Sequence, residues 1–168
     1  MSQPTPAQPI TTSQTIGPFP HEGWRWAFDP GQAGLPVQVT GVVYDGDGKP
    51  VSDAVLEAWL PGTQAGAALE GLPGLYRTHT QDDGSFRFSL PAHGVAGEPD
   101  FYLVVFARGL VKHQFSAVYL KDNPDAPLLK QVPAERRATL VAKPGPSGTF
   151  QWDLHLQGPA ETVFFDFT

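Results

Sequence analysis

Residues 41–60 read GVVYDGDGKPVSDAVLEAWL, and the rest of the chain is organised around them. The apolar run Val37–Tyr44 enters the turn Asp45-Gly46-Asp47-Gly48, and Lys49-Pro50-Val51 leads to a second apolar run, Ala54–Leu60. In that second run Val55, Glu57 and Trp59 alternate with Ala54, Leu56, Ala58 and Leu60, the period of a strand. Two strand-like runs around a turn of residues that tolerate positive φ predict a β-hairpin or a tight corner.

The same punctuation continues outward. Gly and Pro contribute 18 residues each to a chain of 168, which leaves room for short strands and turns and little for long helices. Leu75–Thr80, the turn Gln81-Asp-Asp-Gly84 and the alternating Ser85–Leu90 predict a second hairpin. Phe101–Ala107 is almost continuously apolar, as in a strand covered on both faces, and His113–Leu120 is expected to pair back on it. Leu128–Arg137 is the one candidate helix, broken by Pro133. Thr139–Ala142, Thr149–Leu156 and Thr162–Phe167 are the expected last strands. Roughly nine strands in one domain spell a mostly-β, single-domain β-sandwich with long loops. Residues 1–34 are expected to form an extended arm and loop, and residues 35–168 the sandwich. Within the arm, Ser13–His21 holds two prolines and a glycine and cannot be a helix or central strand. The aromatic cluster Trp24/Trp26 is expected to pack on the core or on a partner.

Charge and composition exclude several functions. A net charge of −6 without a basic cluster argues against nucleic acid as a partner. The chain has no cysteine, so it has neither a disulfide framework nor a thiolate metal site, and this suits a reducing cytoplasm. No stretch reads as a membrane helix, and MSQPTPAQPI does not read as a signal peptide. The five histidines, His21, His79, His93, His113 and His155, form no His-x-His or His-x-x-x-His pair. Neither a nucleophile elbow nor a phosphate-binding loop is present. Asp45, Asp47, Asp82 and Asp83 sit in turns, where Asp serves the backbone. Arg108 ends the most apolar strand beside Gly109, either as a fixed guanidinium able to hold a carboxylate or as an ordinary exposed strand-end charge. No set of residues in this chain suffices to run a reaction by itself.

Five segments in order carry a resemblance: Ser13-Gln-Thr-Ile-Gly-Pro-Phe19, Gly41–Trp59, Phe106-Ala-Arg-Gly109, Arg136–Ala142 and Glu161-Thr-Val-Phe-Phe-Asp-Phe167. Together they are similar to the intradiol ring-cleaving dioxygenases, and among these to the iron-free α subunit of the two-subunit members. The resemblance implies a homologous β subunit that binds non-haem Fe(III) through two Tyr and a His-x-His pair. It also implies αβ protomers in a higher oligomer and a small aromatic acid, 3,4-dihydroxybenzoate, cleaved with O₂. Where the family has His-x-His this chain reads Asp100-Phe101-Tyr102, so iron is expected in the partner and not here, and this chain alone is expected to be inactive. Tyr76 and Tyr102 are the tyrosines expected nearest the former site. The resemblance assigns Thr15, Gly17, Pro18 and Phe19 to the lining of the partner's pocket, and Arg108 to positive potential for an anionic ring. Phe19 stands where the family has tyrosine. The alternative reading is a transthyretin-like β-sandwich that binds or scaffolds without catalysis.

Overall fold

The computed structural model describes residues 22, 28, 34–62 and 74–167. Most of the expected arm 1–34, including Trp24 and Trp26, therefore lies outside the described residues. The described part holds nine strands: β1 Val37–Tyr44, β2 Val55–Trp59, β3 Leu75–His79, β4 Ser85–Leu90, β5 Phe101–Phe106, β6 Gln114–Val118, β7 Lys143–Pro144, β8 Thr149–Gln151 and β9 Leu154–His155. One sheet runs β4-β1-β8-β7 with β9 also on β1, and the other runs β3-β2-β5-β6.

The first turn takes the tight-corner alternative, and the second expected hairpin is likewise a corner between the sheets. β1 pairs with β4 and β2 with β3, so neither the 45–48 turn nor the 81–84 turn joins neighbouring strands of one sheet. The reason is visible at the first corner. Asp45 and Val51 donate to Lys49 and Val43 in a tiny local ladder that ends at the Tyr44–Pro50 bridge. Proline has no N–H to extend it, and the Ser52–Asp53 turn then sends β2 to the other layer. At the second corner Gly84 has φ +75°, and a Cβ there would meet Pro50 at 2.7 Å, so the two corners pack against each other only through a glycine.

Between the layers, alternate residues of both sheets interdigitate: Val39 and Val43, Phe86 and Phe88, Leu56 and Ala58, Leu103 and Val105, with Trp152 closing one end. Each such aliphatic or aromatic side chain taken from water stabilises by about 1.5–3 kcal/mol. β5 pairs with β6 as expected, antiparallel from Phe101–Val118 to Val105–Gln114.

The C-terminal third departs from the expected strands. Helix α1, Pro127–Lys130, is a single turn, and after Pro133 a 3₁₀ helix spans Ala134–Leu140, overrunning the strand expected at Thr139–Ala142. Thr139 sustains that helix by donating from Oγ1 to the Arg136 carbonyl at 2.8 Å. Thr149–Leu156 is two short strands, β8 and β9, each parallel to β1. Between them the Trp152 carbonyl lies where a Cβ on Gly41 would sit, 1.7 Å away, and the Asp153 carboxylate accepts the Val42 N–H in place of a ladder carbonyl. Residues 162–167 form only a bridge, Phe165 to Phe115, because side chains satisfy the neighbouring backbone: Ser116 donates to the Val163 carbonyl and the Val163 N–H donates to Thr139 Oγ1.

Candidate functional site

The second sheet carries the chemistry on its outer face. Val55 faces His79 and Phe106, Glu57 faces Arg77 and Val104, and Trp59 faces Leu75 and Tyr102. On β6, Phe115 stands opposite Val104 and Ala117 opposite Tyr102. Strand alternation turns Leu56, Ala58, Leu103 and Val105 into the core and this grid outward. Trp59, Tyr102, Val104, Phe106, Phe115 and Phe167 line an open cavity of about 420 Å³ on the grid. Glu57 and His113 also line it, and Glu57 is ion-paired with Arg77. Arg77 donates from both Nε, at 2.8 Å, and Nη2 to Glu57 Oε1, while Trp59 Nε1 donates to Oε2 at 3.2 Å.

At one end of β5, Asp100 and Tyr102 are two residues apart and so project from the same face, the spacing that lets a His-x-His pair share a metal. Both are already engaged: Asp100 Oδ2 accepts the Leu120 N–H at 2.8 Å, and Tyr102 donates to Glu98 at 2.6 Å. Tyr119 follows β6 beside them, buried among Ala126, Leu129 and Leu140, and its hydroxyl has no hydrogen-bond partner among the described residues. Burial first, then the Glu98 hydrogen bond and charge, push the Tyr102 phenol up to about 12. Burial, with Glu98 and Asp100 nearby, does the same to Tyr119. A ferric ion needs phenolates and neutral imidazoles. This end offers two phenols and two carboxylates and, among the described residues, no imidazole. The nearest imidazole on that face, His113, sits in the row of Phe106, about 13 Å along the strand, packed against Phe106 and Phe115. The residues present therefore do not fit the iron site of the family.

Arg108 lies at the opposite end of the same strand. Six residue steps along and just past the strand separate it from Tyr102, about 20 Å, well beyond the reach of one side chain. Its Nε is 2.8 Å from Asp53 Oδ2, and it borders an open cavity of about 520 Å³ with Gly46, Gly109, Gln114, Gln157 and Glu161. The guanidinium is half-exposed and fixed, so both sequence-based readings of it meet here: a strand-end charge, held in place.

Thr15, Gly17, Pro18 and Phe19 lie outside the described residues. Of the two tyrosines expected near the former site, Tyr102 is there, but Tyr76 points the other way, buried in the core between the sheets. Tyr119 takes that place instead, because an odd-numbered position after β6 shares the face of Ala117. The described histidines are structural: His79 packs on Phe28, His113 between two phenylalanines, His155 stacks on Tyr44, and His93 bonds the Pro61 carbonyl. Asp45 and Asp83 serve their turns, accepting the N–H groups of Asp47, Lys49 and Ser85. Sequence reasoning passed over Glu57 and Asp53. The available signal was an acid inside an apolar stretch, which demands a cation across the sheet. No group of three or more His, Cys, Asp or Glu set to hold a metal ion occurs among the described residues.

No family model matches the chain. The chain is 37% identical over 190 aligned residues to the protocatechuate 3,4-dioxygenase alpha chain of Burkholderia cepacia, covering 93% of this chain and 96% of that protein. It is 30% identical over 198 residues to the protein of the same name from Pseudomonas putida, covering 95% and 97%. Among solved structures, the dioxygenase domain of a dioxygenase–carbohydrate-binding protein fusion from Streptomyces sp. SirexAA-E superposes with a TM-score of 0.54 at 21% identity, over 88% of this chain and 98% of that one. Catechol 1,2-dioxygenase from Acinetobacter sp. ADP1 gives 0.50 at 17% identity, over 78% of this chain and 56% of that one. These two share the fold: a two-layer sandwich of the intradiol dioxygenase type. With the two alpha chains matching almost end to end, the chain belongs to the protocatechuate 3,4-dioxygenase alpha-chain family of intradiol ring-cleaving dioxygenases.

Proposed function

We propose that this chain is an iron-free α subunit that completes the active site of a homologous β subunit. The reaction is intradiol cleavage of 3,4-dihydroxybenzoate by O₂ to 3-carboxy-cis,cis-muconate, in the cytoplasmic catabolism of aromatic acids. The carbon–carbon bond between the two hydroxyl-bearing carbons breaks, and both oxygen atoms of O₂ end in the two new carboxyl groups. Non-haem iron, on which the intradiol family depends, belongs to the β subunit in this reading.

The observation that carries the reading is the separation along β5. Asp100 and Tyr102, at the place of the family's His-x-His, are tied to other groups, while Arg108 stands about 20 Å away at the far end of the strand. A cation there cannot serve a substrate held at this chain's own degenerate site. It can serve one held by a neighbour. Thr15, Gly17, Pro18 and Phe19 join it in this proposal, lining the partner's pocket across the subunit interface. The Phe19 ring keeps its packing role there and lacks the hydroxyl of the family tyrosine, so one polar contact to substrate or partner is lost. The stand-alone binding module has no specific observation in its favour.

The test is expression of this chain with and without the His-x-His partner, reading iron content and 3,4-dihydroxybenzoate cleavage. Iron and activity only in the co-purified complex are expected. Stoichiometric iron in this chain alone, or failure of the two chains to associate, overturns the proposal.

A further inference from the structure

Asp53 is a buried acid whose one cation among the described residues is Arg108. Its side chain is 4% exposed, and neither carboxylate oxygen has a hydrogen bond among the described residues, whereas Arg108 is 57% exposed. Their 2.8 Å Nε–Oδ2 approach follows from the sheet. Val55 pairs with Phe106, and continuing that antiparallel register by two residues sets Asp53 across from Arg108. Both backbones are pinned. Ala54, next to Asp53, donates to Thr80 Oγ1 and accepts the Thr80 N–H. Arg108 sits in a turn closed by Leu110 donating to the Ala107 carbonyl, with Gly109 at φ +84°.

A buried carboxylate without hydrogen bonds is costly unless a cation stays beside it, so Asp53 holds the guanidinium rather than the reverse. With Nε 2.8 Å from Asp53 Oδ2 and the Arg108 side chain 57% exposed, the terminal nitrogens are left to meet the two oxygens of a carboxylate. The pair thus presents a dipole with its positive end towards solvent, although its net charge is zero.

We propose that Asp53 is the positioning residue for Arg108, fixing the guanidinium so that its terminal edge meets the carboxylate of the aromatic acid in the partner's pocket. This rests on the function proposed above, with Arg108 as the carboxylate contact.

The test uses the reconstituted two-subunit enzyme with D53N, R108A and the double variant. It compares kcat and KM for 3,4-dihydroxybenzoate with the inhibition constant of catechol, which has no carboxylate. Loss of a charge-assisted contact in R108A raises KM about tenfold, and D53N raises it about three- to tenfold. Neither variant weakens catechol binding, and the double variant is no worse than R108A. If R108A raises KM and D53N leaves it at the wild-type value, the positioning role is overturned and the carboxylate contact survives. If R108A changes nothing, the carboxylate contact itself fails, and the positioning role with it. If D53N weakens catechol and the acid equally, Asp53 is only structural and the proposal is overturned. Should D53N not assemble, R108K decides. It keeps the charge but has no Nε to tether, so it is expected to raise KM with catechol binding intact, and a wild-type KM overturns the proposal.

Discussion

Glu57 shows what one residue does to an otherwise apolar surface. It sits mid-strand on the outer face of β2, 8% exposed, with Arg77 at 13% across the ladder and the Trp59 indole bonded to its second oxygen. Two charges withdrawn this far from water gain little from each other, but either one left alone is expensive. Glu57→Leu removes the buried carboxylate that Arg77 and Trp59 bond and is therefore expected to destabilise the chain by about 3–5 kcal/mol. The double change Glu57→Leu/Arg77→Met should recover most of that loss. Urea unfolding midpoints of the two variants check this, and equal losses in single and double variants would show that packing, not charge, is what the pair supplies.

At the scale of elements, the outer face of β5 and β6 is covered at one end by α1, the 3₁₀ helix and the C-terminal tail, which are joined through few bonds. Thr139 is the hinge of that cover, donating to Arg136 and accepting from Val163. Thr139→Val removes both bonds and is expected to cost about 1–2 kcal/mol. Hydrogen exchange at the Val163 amide should rise with the change, well ahead of amides in β5. Beneath this cover lie the two high-pKa phenols. A phenol whose pKa rises from 10.0 to about 12 binds its proton more tightly in the folded chain than in the unfolded one. The stability this represents is fully present below pH 10 and is lost as pH climbs from 10.0 towards 12. Ultraviolet difference absorbance should show two tyrosines titrating late, with alkaline unfolding in the same window. Tyr102→Phe should remove one of the two late protons.

For the whole molecule, the proposed division of labour between subunits makes metal removal informative. Asp100 is bonded to the Leu120 amide and Tyr102 to Glu98, so in the proposed reading this chain's fold is expected not to depend on iron. Chelation of iron from the reconstituted enzyme is expected to abolish ring cleavage, while the melting temperature of this chain purified alone stays unchanged by chelator or added ferric salt. A shift on adding iron would reveal a site that the geometry of β5 does not provide.

Local sequence alone determined the strands from Val37 to Val118, since each has its own alternation or apolar run and its own Gly, Pro or Asp boundary. It also determined the engagement of Asp45 and Asp83 in turns, because this depends on residue type and nearest neighbours. Five ordered segments were enough for the family. Tertiary structure decided which strands pair. The 45–48 and 81–84 turns look the same whether their strands stay in one sheet or divide between two, and only Pro50 and the packing of Gly84 on it settle the matter. It likewise decided that Thr139–Leu140 is helical, since Thr139 takes partners 24 residues away. It also turned Tyr76 into the core and Tyr119 towards Asp100. Above all it brought Asp53 to Arg108. Their 2.8 Å contact spans 55 residues of chain and exists only because β2 and β5 lie side by side in one register. Long-range pairing of that kind leaves no local trace beyond an acid where an apolar residue was expected.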